Sequence, residues 1–300
     1  RFCLFVFLIN ICPSLHFYVE EGQMFYITAL TIAGSDCSGG AGIQADLKTM
    51  SALGVYAASA ITAITAQNTL GVQSVSAVSP SLVKEQIRSV LSDIRPLAIK
   101  IGMVNDIPTI RAIVETISHY KCNAVVLDPV MVASSGDSLM QNNALHVFRN
   151  ELLPLASLVT PNIPEAETLS GMKIKSSSDV RIAAQRITKY GCPMVLIKGG
   201  HLDGDNKIDY LFDFSSSPDS EYIFTEKTIE TMNTHGTGCT LSSAITAFLA
   251  RGMQMAEAVA CAKSFMSKAL SEGKDVKIGD GHGPVNHFFD PESLFKKQYL

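Results

Sequence analysis

The chain has 300 residues, 47% hydrophobic and 17% charged, enough to build one large α/β domain or two small ones without stapling. A formal net charge of −4 and the lack of any basic run argue against a nucleic-acid partner. The seven cysteines are scattered, odd in number and free of CxxC pairs, which suits free thiols in a reducing, cytoplasmic setting and gives no zinc pattern.

Residues 1–23 differ in character from the rest. A short apolar run over 2–11 follows one basic residue, too short to span a bilayer comfortably. It reads as the core of a secretion signal or as an upstream extension. No small-x-small cleavage site follows, and Met24 opens directly into FYITALTIAG. The expectation is therefore an extension outside the fold, then a single domain over 24–300 with no membrane partner.

From Met24 onward, strand and helix patterns alternate. Strands are expected at 27–33, 56–66, 98–101, 124–127, 158–160 and 194–197. Helices are expected at 39–53, 81–94, 108–120, 138–152, 165–169, 179–190, 237–250 and 255–270. Segments 210–214 and 222–225, parted by Ser215-Ser216-Ser217-Pro218, read as an antiparallel hairpin at the sheet edge. Such alternation implies an α/β fold with a mostly parallel central sheet covered by helices on both faces.

Ligands of open α/β sheets sit beyond the carboxyl ends of the strands. Here those ends run into Gly34-Ser35-Asp36, Gln67-Asn68, Gly102-Met103, Asp128-Pro129, Pro161-Asn162 and Lys198-Gly199-Gly200-His201. Turns explain the glycines and prolines, but explain Gln67, Asp128 and Lys198 less well.

Three constellations carry chemistry. The first is GSDCSGGAG over 34–42, between a strand and a helix, which lets backbone approach a ligand but matches neither GxGxxG nor GxxxxGK[ST]. In the helix that follows, Asp46 falls inside the apolar arc of Ile43, Leu47, Met50 and Leu53 at about 100° per residue. A buried carboxylate needs a partner, either structural donors or a substrate, and the spacing leaves both open.

The second is NTHGTGCT over 233–240, opening a helix whose glycine-rich N-terminus suits an anion. Cys239 lies in its first turn. A helix N-terminus lowers a thiol pKa, so Cys239 is expected to reach the thiolate and accept a proton; the plainer reading is a small core cysteine. The third is Asp128, Asn162, Glu165 and Lys198, two carboxylates and an amide suited to Mg²⁺ and a lysine suited to phosphate. The histidines show no metal-ligand spacing.

Eight stretches in order resemble the hydroxymethylpyrimidine/phosphomethylpyrimidine kinase family: ALTIAGSDCSGGAGIQADLKTMSALGVY, ITAITAQNTLGVQSV, IKIGMV, VVLDPVM, LVTPNIPEAETLSG, VLIKGGHL, TMNTHGTGCTLSSAI and GHGPVNHFF. They cover about residues 26–289. The resemblance implies a ribokinase-like fold, a homodimer, and ATP with Mg²⁺ as cofactors. It implies phosphorylation of an aminopyrimidine alcohol and then of its monophosphate, in thiamine biosynthesis.

By the same resemblance, Gln67 binds the aminopyrimidine and Gly34, Asp46, Met103 and Val130 shape its pocket. Gly236 and Gly238 supply the anion hole, and Cys239 stands where sugar kinases carry an aspartate base. Asp128, Asn162, Glu165, Lys198 and Thr237 meet ATP, with Asp128 and Glu165 on the metal. Cys37 and Asn286 depart from the family pattern without touching the proposed chemistry. Two rivals are a pyridoxal kinase of the same fold and a non-catalytic pyrimidine-binding module; a sugar kinase fits less well, because Cys239 replaces the carboxylate.

Overall fold

The computed structural model describes residues 23–131, 140, 141, 143–199, 206–216 and 218–298. The expected extension, save Gln23, lies outside the described residues, as do Gly200-His201 and parts of the 138–152 segment. Described strands are β1 (Met24–Tyr26), β2 (Thr28–Asp36), β3 (Tyr56–Asn68), β4 (Gly71–Ala77), β5 (Ala98–Ile101) and β6 (Val125–Leu127). They continue with β7 (Leu158–Val159), β8 (Met194–Lys198), β9 (Asn206–Asp213), β10 (Ser220–Lys227) and β11 (Lys296–Gln298). Longer helices are α1 (Gly42–Ala52), α2 (Pro80–Asp93), α3 (Ile107–Tyr120), α5 (Ile163–Ser170), α6 (Ser177–Thr188), α7 (Thr237–Ala250) and α8 (Met255–Gly273), with a short α4 (Leu145–Val147).

Among the described residues one sheet runs β10-β9-β8-β7-β6-β5-β2-β3-β4. Its centre is parallel, while β3–β4, β8–β9 and β9–β10 pair antiparallel. Buried residues of the central strands alternate between two cores, as the two-residue period of a strand requires. Leu30, Ile32, Val125, Leu127, Val195 and Ile197 pack under α2, α3, α5 and α6. Ala29, Val126 and Leu196 pack under α1, α7 and α8.

The helices begin where local chemistry dictates. Asp106 caps α3 through the Thr109 N–H at 2.8 Å, with proline in the first turn and a left-handed Lys121 ending it. Asn162 and Glu165 form a reciprocal capping box on α5, at 2.9 and 2.8 Å, and left-handed Gly171 closes it.

The expected α/β sheet and edge hairpin are present. Two features went unread: the antiparallel strand β4, whose residues are largely exposed, and the two-stranded β1–β11 ribbon. The expected 138–152 helix is shorter: after α4 the chain passes into a π-helical turn, Phe148–Leu152, then a 3-10 turn, Leu153–Leu155, around Pro154. Proline inside such a segment removes a hydrogen bond and tightens the turn.

Candidate active site

A cleft of about 760 Å³ opens beyond the carboxyl ends of the parallel strands. All six sequence-expected strand ends reach it, through Gly34, Gln67, Met103, Asp128, Asn162 and Lys198. Val130, Glu165, Gly236, Thr237, Gly238 and Cys239 line it as well.

Asp46 does not line the cleft, and its expected place in the substrate pocket is corrected. It is fully buried on α1, where Lys100 Nζ donates to both carboxylate oxygens at 2.9 and 2.8 Å. Thr31 and Ser243 hydroxyls donate to it at 2.5 and 2.6 Å. The apolar arc of α1 forces the carboxylate inward, and a lysine inside the apolar strand β5 meets it. Burial opposes the charge of Lys100, but Asp46 and the nearby Cys239 and Asp128 outweigh it, so its pKa lies above the ordinary value. Lys100→Met should therefore cost about 3–5 kcal/mol of stability, because the buried Asp46 carboxyl loses its cationic partner and keeps only two hydroxyl donors, and adding Asp46→Leu should restore most of it. Urea midpoints read this directly; additive losses in the double variant would contradict it.

Asp128, at the end of β6, is 2% exposed. Lys198 Nζ lies 3.1 Å from its Oδ1, and the Thr160 and Ser242 hydroxyls donate to it at 3.1 and 3.3 Å. Burial works against its charge, but Lys198 and Lys100 hold its carboxyl below the usual carboxylate range. Glu165 goes the other way. Burial, aided by the Asp128 charge, pushes it up to about 7 despite Lys198 and N–H donors from Asn162 and Met131. Lys198 is half-buried, and that desolvation disfavours its charge, yet Asp128 and Glu165 raise its pKa. Among the described residues no three His, Cys, Asp or Glu side chains gather as a protein-built metal site would. The donors present are two neighbouring carboxylates, a set that suits a cation sharing its remaining positions with phosphate oxygens.

The start of α7 faces these groups. Gly236 precedes it at φ +79°, and a Cβ there would meet the Gly40 carbonyl oxygen at 1.8 Å, so only glycine fits. No side chain caps α7, which leaves N–H groups at Gly238 and Cys239 available to an anion. The expected low thiol pKa is corrected. Burial, with Asp46 and Asp128 nearby, pushes Cys239 up to about 11, although Lys100 and the Gly42 N–H favour the thiolate.

Sequence reasoning passed over Asp36 and His235. Asp36 is buried and receives the Ser38, Gly40 and Ala41 N–H groups, so it organises the glycine-rich loop. Its signal was an Asp two residues before a serine at a loop start. Lys263 lines the cleft too, paired with buried Asp209 at 2.7 Å; its partner lies 54 positions away, so the pair gave no sequence signal. Cys37 is nearer the site than expected, its Sγ donating to the Gln67 carbonyl at 3.1 Å.

The phosphomethylpyrimidine kinase family matches residues 36–286. A hydroxymethylpyrimidine/phosphomethylpyrimidine kinase of Rhizobium meliloti is 50% identical over 261 residues, spanning 87% of this chain and 96% of that protein. The crystal structure of a phosphomethylpyrimidine kinase from Clostridium difficile superposes with a TM-score of 0.71 at 45% identity, covering 81% of this chain and 99% of that one. A Bacillus subtilis pyridoxal kinase in complex with ADP superposes with a TM-score of 0.80 at 36% identity, covering 88% and 98%. With its ribokinase-like sheet, the glycine-opened helix α7 and the Asp128–Lys198 pair in one cleft, the chain belongs to the phosphomethylpyrimidine kinase family.

Proposed function

We propose that the protein uses ATP and Mg²⁺ to phosphorylate 4-amino-5-hydroxymethyl-2-methylpyrimidine at its hydroxymethyl oxygen, and then to convert the monophosphate to the diphosphate, in thiamine biosynthesis. The carrying observation is that the amide of Gln67, the glycine-opened start of α7 and the Asp128, Glu165 and Lys198 side chains line one cleft.

In this reading Gln67 matches the ring nitrogen and exocyclic amine of the substrate, with Gly34, Met103 and Val130 around the ring. A Cβ at Gly34 would lie 3.0 Å from Met103 Sδ, so glycine keeps that wall thin. Lys198, Asn162 and Thr237 meet the nucleotide phosphates, and Asp128 and Glu165 hold the metal, which when bound would neutralise phosphate charge. The N–H groups of α7 receive the transferred phosphoryl group. Phosphoryl transfer needs little covalent help, so positioning and electrostatics supply most of the rate. Cys239 takes the proton of the alcohol, limited by how rarely a thiol near 11 is ionised.

The domain over 24–300 is proposed to carry all of this, as a cytoplasmic homodimer. Exposed Ile64, Leu70 and Val75 around β4, the edge strand of the sheet among the described residues, offer apolar surface for a second copy. Among the described residues, no helix is long and apolar enough to cross a membrane.

Gln67→Leu tests the assignment. It should raise the KM for the pyrimidine strongly, since unpaired polar groups cost roughly 1–3 kcal/mol each, and leave the KM for ATP alone. An unchanged pyrimidine KM would remove Gln67 from the site. The likeness to pyridoxal kinase makes pyridoxal phosphorylation the second reading, and paired assays on both substrates separate them.

A further inference from the structure

His235 has no part in the transfer described above, yet three segments of the chain close on it. It is 5% exposed and borders the cleft. Its main-chain N–H donates to the Gly283 carbonyl at 3.0 Å, and its main chain bridges to Pro284. Gly40 packs so closely that a Cβ there would sit 2.3 Å from His235 Cδ2. Ring Nε2 lies 2.8 Å from Asp36 Oδ2 and 3.3 Å from one end of the Gln67 amide. The other end of that amide is 3.3 Å from Thr65 Oγ1.

Proton counting decides which way round the amide sits. Burial raises the Asp36 pKa, but hydrogen bonds from His235, Ser38 and Ala41 outweigh it and hold the carboxyl at about 2. Facing a carboxylate, His235 carries its proton on Nε2. Thr65 Oγ1 has one proton and gives it to the Ser35 carbonyl at 3.0 Å, so toward Gln67 it accepts. The two ends of an amide have nearly the same shape, and hydrogen bonding alone distinguishes them. Only with its NH₂ toward Thr65 and its carbonyl toward His235 does no donor face a donor. The one Nε2–H, given to Asp36 at 2.8 Å, reaches that carbonyl as the longer branch of a shared bond at 3.3 Å. One N–H and one lone pair of Gln67 then remain for a ligand, in a fixed order across the cleft.

We propose that His235 is a positioning residue that fixes the Gln67 amide in one orientation, so that the cleft accepts a ring edge with an exocyclic amine beside an acceptor nitrogen and rejects the edge with donor and acceptor exchanged. The inference rests on the pyrimidine-kinase reading and deepens it. Replacing the 4-amino group of the substrate by a 4-oxo group makes that exchange, because the oxygen accepts and the neighbouring ring N–H donates. An amide free to turn over would take either edge.

The test is the ratio of kcat/KM for the 4-amino substrate to that for its 4-oxo analogue, with the KM for ATP measured alongside. The parent should favour the amine strongly. His235→Leu and His235→Asn should each shrink the ratio by at least about tenfold, since a site built on oriented hydrogen bonds discriminates far beyond that. His235→Gln, which returns an N–H near the position of Nε2, should keep the ratio within about threefold of the parent. In a Gln67→Leu background, changes at position 235 should no longer move it. Should His235→Leu fail to fold, the Asn and Gln variants decide the matter. Equal losses on both substrates, leaving the ratio unchanged, would overturn the inference alone, as would a position-235 effect that persists without Gln67. Failure of the parent to phosphorylate the 4-amino substrate would overturn the kinase reading and this inference with it.

Discussion

Gly238→Ala should fold like the parent and lose about 10²–10³-fold in both phosphoryl transfers. A Cβ at Gly238 would point into the cleft, 3.4 Å from Lys198 Nζ and 3.6 Å from Asp128 Oδ2, both ordinary contacts. Gly238 is the second residue of α7 and has no positive φ, so alanine suits its backbone better than glycine does. The methyl group therefore leaves the protein undisturbed and occupies the space between helix start, lysine and carboxylate. In this account the transferred phosphoryl group sits there in each step. Gly236→Ala differs in kind, because its Cβ would collide with the Gly40 carbonyl at 1.8 Å, and folding should suffer as well. Melting temperature and single-turnover rates for each step separate the cases. A Gly238→Ala protein that melts several degrees lower, or that loses only one step, would contradict the assignment.

Cys239→Ser should slow formation of the monophosphate by about 10²–10⁴-fold and its conversion to the diphosphate far less. The second acceptor is already a phosphate and needs no strong base. The pH profile carries the sign. A thiol raised to about 11 is protonated at neutral pH, and its basic form grows with pH up to that value. The alcohol step of the parent should climb by about tenfold per pH unit from roughly pH 7 toward 10, with no matching climb in the second step. The serine variant should lose the climb. Equal losses in both steps, with parallel profiles, would mean that Cys239 positions the acceptor and that the proton leaves by another route.

Most strands and helices were legible because apolar periodicity and strand-end residues act locally. The β1–β11 ribbon was not, since its partners sit at opposite ends of the described chain and neither carries a buried face. Strand β4 was missed for the same reason: exposed on an edge, it lacks the alternation that marks a half-buried strand. At the site, the glycine runs and strand-end polar residues singled out from the sequence all border one cleft. Asp46 shows where spacing stops: its place on the apolar arc predicted burial, but its partner Lys100 lies 54 positions away and only the folded sheet joins them. The thiol of Cys239 shows the competing case. A helix N-terminus lowers a thiol pKa, but burial, together with two carboxylates brought in by α1 and β6, outweighs it. His235 gave no signal because its meaning lies in Asp36 and Gln67, far off in sequence and adjacent in space.

The most direct measurement is mass spectrometry of the products formed from ATP, Mg²⁺ and 4-amino-5-hydroxymethyl-2-methylpyrimidine, with equimolar pyridoxal competing. The account predicts that the pyrimidine gains one and then a second phosphoryl group while phosphorylated pyridoxal stays far behind. Pyridoxal phosphate as the main product, or ATP turnover with no phosphorylated pyrimidine, would contradict it.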